Sequence, residues 1–431
     1  MANQPAVATE VGWQPGPNSD ILTDTAREFR DWRTAMPVFN RMRTDEQISA
    51  VLLAVTLPIR ATTWRVDPAG ADIEVARSVG DQLGLPVIGD ESRPPTMAGR
   101  NRFDFDDHLR MALLSLPFGC MFFEQVYELD GDEFTGRTVL RKLAPRLPWT
   151  LTEINVARDG GLVSIEQTAA EAARNPLGEP VTRKTVGRIV IPVNRMVAYA
   201  HDREGGDWSG RSILRPAYRS WLLKDELLRI EALAARRNGL GVPVYENPEN
   251  STPADIEKGR QMASAYRAGD SAAASLPPGA KLDLKGVTGT VMNPRQAIDY
   301  HDGQIGRSVL AHFLNLGGSG GSYALASTQA DLFTTSVCSV ATTFARTFNA
   351  HVVSDIVDMG FGPNVAVPQV IFDDIGASSL SIATAIRTLV DARVITVDRP
   401  LQDYVRRELG LPAVAENGGA TPALPAGGVA Q

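Results

Sequence analysis

The chain has 431 residues, of which 43% are hydrophobic and 22% charged, with a formal net charge of −7. That length is ample for a large core in two to four structural units. The charge argues against a broad basic face that grips nucleic acid, though not against a protein that lets DNA pass without holding it. There is no run of 18 apolar residues, so no membrane span is expected, and the N-terminus lacks the basic and apolar regions of a secretory signal. Cys120 and Cys338 are too few for a disulfide framework or a zinc site and read as reduced core residues of a cytoplasmic protein.

Residues 1–20, rich in Pro, Gly and Asn, read as a disordered tail. From Leu22 the pattern turns helical. Thr44 with Gln47 forms a capping box ahead of an apolar run that Pro58 closes, and TWRVDP follows as a short strand. Ala71 to Leu83 is a second amphipathic helix, ended by Gly84 and Pro86; Asp104 caps a third, stopped by Pro117. Beyond it the texture changes to alternating Val, Leu, Ile and Thr with Asp-Gly turns, the pattern of β-hairpins, and GRIVIPVNRMVAYAHD reads as one strand. An α-then-β unit therefore spans 21–205.

The segment from Ser209 to Gly239 has no Gly or Pro between Ala217 and Asn238 and is rich in strong helix formers. It reads as one long rod over 206–239, with Asn238-Gly239 as its stop. Its faces are unusual. Ile213, Leu214, Ala217, Tyr218, Trp221, Leu228, Ala232 and Ala235 form one apolar arc, while Leu223, Leu227, Ile230 and Ala234 form a second. An ordinary surface helix needs a single stripe, so this one is either gripped by copies of itself or buried inside one large domain. A polar strip holding Arg211, Arg215, Arg219 and Glu226 separates the arcs. The strip is read as a solvated face, a row facing phosphates, or a partner for acids such as Asp225 and Glu226 on a neighbouring copy.

Residues 240–291 form a small βαβ insertion: VPVYE, a helix opened by Thr252-Pro253, and the strand around KLDLK. A second long helix follows over 292–315, weakened by Gly303 and Gly306 at about 1 kcal/mol each relative to Ala. The Gly-rich loop 316–325 leads into a charge-poor helix over 326–362, for which Thr328 and Asp331 supply a capping box. A small helical unit at 363–410 and a tail at 411–431 complete the chain. The fold class is α+β.

No motif supports an enzyme. Gly317, Gly318, Ser319, Gly320 and Gly321 match a nucleophile-elbow pattern, but that chemistry needs a strand before the Ser and a helix directly after it. Asp331 and His351 share one expected helix about 30 Å apart, so they do not converge on Ser319. His201-Asp202 reads as a surface turn, His301 and His312 lie on different faces, and Asp130-Gly131-Asp132-Glu133 and Asp373-Asp374 read as solvated turns. No catalytic residue, cofactor or metal is expected.

The order of elements resembles the portal proteins of tailed bacteriophages, in the branch similar to phage Mu and siphovirus portals. PFGCMFFEQVYE, RIVIPVNRMVAYAHDREGGDWSGRSILRPAYRSWLLKD, VPVYENP with LPPGAKLDLKGV, and RSVLAHFLNLGGSGGS carry the likeness, which covers about residues 27–400. The resemblance implies a dodecameric ring at the capsid vertex, through which double-stranded DNA is packaged and ejected. It makes 21–205 the wing, 206–239 and 292–315 the stem helices, and 240–291 the clip. It makes Gly317–Gly321 the tunnel loop, 326–362 the long helix over the wing, and 363–410 the crown. Stem contacts between copies would fall on Trp221, Leu223, Leu227 and Ile230, and Arg211, Arg215 and Arg219 would face DNA or a neighbour. Implied partners are copies of itself, the terminase large subunit, a head–tail adaptor, the major capsid or scaffolding protein, and passing DNA, with no membrane. Its place would be the virion, and the host cytoplasm during assembly. Two alternatives stand beside it: another head–tail connector or minor head protein, and a hydrolase using Ser319.

Overall fold

The computed structural model describes residues 12–17, 24, 26–90, 93, 103–130, 137–168, 187–240, 242–265, 275–276, 278–285, 293–308, 323–375 and 402. Met1–Asp373 form one unit and Asp374–Gln431 a second, of which only Asp374, Ile375 and Gln402 are described. Calls on residues outside these ranges, the Gly317–Gly321 loop, His312 and the helices of the C-terminal unit among them, lie outside the described residues.

Helices α1 (Trp32–Met42) and α2 (Glu46–Ala61) open the first unit. Trp32, Met36, Phe39 and Met42 recur at helical spacing and are buried, as are Ile48, Val51, Val55 and Ile59 of α2. The N-cap of α2 is Asp45, one residue later than the expected Thr44: its carboxylate accepts from the backbone N–H of Gln47 and Ile48, while the Thr44 hydroxyl donates to the Arg41 carbonyl. A carboxylate suits the positive end of a helix better than a hydroxyl. Strand β1 (Trp64–Asp67) and α3 (Ile73–Leu83) follow, with Gly84 in the left-handed conformation that ends α3. In α4 (Phe105–Ala112), Asp104 caps as the sequence predicts. Pro117 does not stop the chain at once but lies within a short helix, α5 (Ser115–Phe118).

Strands β2 (Cys120–Asp130), β3 (Arg137–Arg146) and β7 (Met196–Ala200) form an antiparallel sheet in the order β3-β2-β7. Strands β4 (Leu151–Val156), β5 (Leu162–Thr168) and β6 (Arg188–Pro192) form a second, in that order. The run GRIVIPVNRMVAYAHD is therefore two strands in two sheets, not one. Pro192 has no N–H to extend a ladder, and a 3₁₀ turn at Val193–Arg195 carries the chain from one sheet to the other. Between α1, the start of α2 and both sheets lies a core of Trp32, Met36, Phe39, Met42, Ile48, Phe118, Phe122, Ile154, Ile165 and Ile191.

Helix α9 (Tyr323–Phe348) starts five residues before Thr328, which is thus not its N-cap. After a π-helical turn at Asn349–Val353 it runs directly into α10 (Ser354–Phe361). Strand β10 (Gln369–Phe372) pairs antiparallel with β1, drawing residues that the sequence assigned to the C-terminal unit into the first one. Asp373 is no free solvated turn, since both its oxygens take hydrogen bonds from Arg65. The Asn349 amide bonds β10 twice, donating to Val370 O at 2.9 Å and accepting from Val370 N at 2.8 Å. Around β1, the Trp64 ring meets Phe105, Phe344 and Phe372 with centroids 5.1–5.4 Å apart. His108 sits beside them, wholly buried, 3.0 Å from the Tyr199 hydroxyl, and burial pushes its pKa down to about 3.

Candidate assembly interface

The rod that follows β7 is anchored before it begins. Gly119 and Gly210, both at positive φ, press their backbones together: a Cβ on Gly119 would stand 2.5 Å from Ser209 O, and one on Gly210 would stand 2.2 Å from Gly119 O. The Ser212 hydroxyl donates to Pro117 O and accepts from Leu214 N. Leu214 and Ala217 are buried in the core just described. Turns at 213–217 wind tightly, and the α-helix proper, α6, spans Tyr218–Leu240. It starts later than the sequence predicts, because Pro216 cannot donate a helical hydrogen bond. It runs through Asn238-Gly239 instead of stopping there.

Its partner within the chain is α8 (Arg295–Ser308). Lys224, 6% exposed, places Nζ 2.6 Å from Asp302 of α8 and 3.0 Å from Asp45 at the start of α2. Burial works against this ammonium, but Asp302 and Asp45 outweigh it and leave the pKa above its ordinary value. Further along, Glu231 pairs with Arg295 at 2.9 Å. Beyond the rod, β8 (Val242–Glu246), α7 (Pro253–Ala265) and β9 (Lys281–Lys285) form the small module, with β8 and β9 antiparallel and Gly259 letting α7 close on Tyr245.

Lys224 and Glu231 mark the side of α6 that faces α8. At about 100° per residue, Leu222, Leu223, Ile230 and Leu233 fall on the opposite side. They are 50%, 43%, 48% and 51% exposed. Four large aliphatic side chains in one exposed stripe are what a folded chain ordinarily covers.

The four expected contact residues divide. Leu223 and Ile230 lie in this stripe; Trp221 instead packs half-buried against its own core with Arg41 over its ring, and Leu227 is half-buried. Leu222 and Leu233 were not among the two arcs, although their angular positions place them between Leu223 and the polar strip. Of the cations, Arg211 pairs with Glu204 at 3.0 Å, and Arg215 pairs with Asp24 and lies over the Phe29 ring. Both precede α6, so the three do not form one helical row; Arg219 alone is on the helix, exposed. Asp225, considered as a partner in the next copy, is held by Arg229 of its own helix at 2.7 Å.

Asp331 and His351 are on successive turns of the α9–π–α10 run, and both are exposed. Among the described residues no group of three or more His, Cys, Asp or Glu side chains is placed to hold a metal ion, and no helix is long and apolar enough to cross a membrane.

A family model described as the portal protein of Mu bacteriophage matches residues 36–411. Among solved structures, the neck of an empty gene transfer agent particle is similar at 13% identity and a TM-score of 0.53, covering 89% of this chain and 94% of that one. The neck of a native gene transfer agent particle computed with C12 symmetry aligns at 12% identity and 0.52, over 87% and 93%. A chain of the native gene transfer agent virion aligns at 13% identity and 0.51, over 87% and 93%. At such identities the likeness is one of fold.

Proposed function

The chain belongs to the portal-protein family of bacteriophage Mu and acts as a portal protein at a capsid vertex; from that premise we propose that copies of it close into a ring around a DNA channel, with α6 and α8 as the stem. The observation that carries this reading is the apolar stripe on α6, on the side away from its own α8. A helix held on one flank by its own chain and greasy on the other is completed by a neighbour in a closed, head-to-tail ring.

The finer architecture follows on the same reading. The α-then-β part up to about residue 205 is the wing, the β8–α7–β9 module is the clip that meets the terminase large subunit and later a head–tail adaptor, and α9 crosses the wing. Gly317–Gly321 is proposed as the tunnel loop and the C-terminal unit as the crown. Arg219 is the cation of the strip best placed to meet DNA or a neighbour, because Arg211 and Arg215 already have acids beside them. Capsid or scaffolding protein would contact the wing. Assembly in the host cytoplasm precedes incorporation into the virion, and the role is structural, with DNA driven by a separate ATPase. Twelve copies is the expected number.

Size-exclusion chromatography with light scattering, followed by end-on electron micrographs of the purified protein, tests this. A ring of many copies with a central hole is the expected result; a stable monomer or dimer at assembly concentrations overturns it. Hydrolase activity abolished by Ser319→Ala would favour the enzyme reading instead.

A further inference from the structure

We propose that Gly303 is the notch into which Leu223 of a second copy of this chain fits, and that this contact sets how closely neighbouring stems approach. The inference rests on the ring reading above and adds which side of α8 receives the stripe of α6.

Gly303 lies in the middle of α8, where glycine is the poorest ordinary residue for a helix, and nothing lies within 4 Å of where its Cβ would be. The protomer therefore gives no reason for a glycine there. Nor does its own packing use that face. Ile298, Asp302 and Ile305 point α8 toward α6 and the core, while Gln296, Tyr300, Gly303 and Arg307 lie on the far side at about 100° per residue. Tyr300 is 60% exposed.

The two ion pairs fix the register. Lys224 is opposite Asp302 and Glu231 opposite Arg295, seven residues on along α6 and seven back along α8. The helices are therefore antiparallel, with Leu223 level with Gly303, Glu226 with Tyr300, and Ile230 with Gln296. Rotation about an axis along the stem carries a copy sideways without lifting it, so residues level within one hairpin are level between neighbours. The outer face of α6 then meets the outer face of the next α8 with a leucine against a glycine and an exposed carboxylate, Glu226, against an exposed tyrosine hydroxyl. A small residue facing a large one is how two helices come close without a void.

The experiment compares wild type, Gly303→Leu, Gly303→Ala, and Gly303→Leu combined with Leu223→Ala, all in the full-length chain. Melting temperature and helical signal of the dissociated protomer are read first, and ring assembly by light scattering second. Open space around Gly303 predicts a protomer melting temperature unchanged or raised in every position-303 variant. Assembly is expected to need about tenfold more protein for Gly303→Leu, with Gly303→Ala intermediate and the double variant returning toward wild type. Gly303→Ala reads the same contact should leucine disturb folding. Rings from both single variants at wild-type concentration, or a double variant no better than Gly303→Leu, would overturn the proposal while leaving the ring reading intact. Absence of rings from the wild type would overturn the ring reading itself.

Discussion

Lys224 Nζ sits 2.6 Å from Asp302 Oδ1 and 3.0 Å from Asp45 Oδ2, a buried cation that ties α6, α8 and the start of α2 together. Removing one member of such a cluster leaves the others desolvated and unpaired. Lys224→Met is accordingly expected to destabilise the protomer by about 3–5 kcal/mol. Adding Asp302→Leu and Asp45→Asn, the latter still a good N-cap, should recover most of that loss. Urea midpoints of the dissociated protein check both steps; a single variant as stable as wild type would show the cluster to be incidental.

His108 makes stability fall on the acid side. Its native pKa is lowered from 6.5 to about 3 because the ring is buried, so the unfolded chain takes up a proton that the native chain refuses. The stabilising preference is fully present above pH 6.5 and is lost as pH falls from there toward 3, at about 1.4 kcal/mol per unit across the window. Melting temperatures between pH 7 and 4 should slope accordingly, and His108→Gln should flatten the slope at some cost in stability at neutral pH. Equal slopes in the two proteins would place the acid sensitivity elsewhere.

Leu223→Glu and Ile230→Glu change exposed positions, so protomer stability should move by no more than about 0.5 kcal/mol. Ring assembly, on the reading above, should be abolished. Leu227→Glu differs, because that side chain is half-buried; it should lose protomer stability as well. Circular dichroism and light scattering on the three variants separate the two effects.

Asn349→Ala removes both amide bonds to Val370 and leaves that residue's N–H and carbonyl without these partners. A cost of about 1–3 kcal/mol follows. Hydrogen exchange should quicken first in β10 and its partner β1, before the sheets around β2 respond; uniform quickening would mean that β10 is held by other contacts.

Much of this was readable from residue order, and the failures have physical causes. Asp104 capped α4 as expected because an N-cap depends only on neighbours three residues away. Thr44 and Asp45 were both plausible caps, and only geometry separates adjacent candidates. The pairing of Arg215 with Asp24 joins residues 191 apart, which no local pattern reveals, and so the Arg strip looked more available than it is. The stripe on α6 was half seen: Leu223 and Ile230 were found, but Leu222 and Leu233 fell beside charged residues and were grouped with them. Trp221 was legible as apolar, not as already engaged by its own core. The division between β6 and β7 was signalled by Pro192, read as part of a strand because the residues on either side favour one.

The wide turn at Asn349–Val353 has one more consequence. Phe333, Val337, Ala341, Ala345, Val353 and Val357 are buried at intervals of four or eight residues along a helix whose natural repeat is about 3.6. In an unbroken α-helix each step of four overshoots a full turn by roughly 40°, so that row would gradually wind out of the core. One looser turn takes up part of the accumulated rotation and returns Val353 and Val357 to the interior. A chain one residue shorter there would regain regular geometry, and everything after it would be swung about 100° round the axis, facing Ile356 and Val357 away from the strands they now cover.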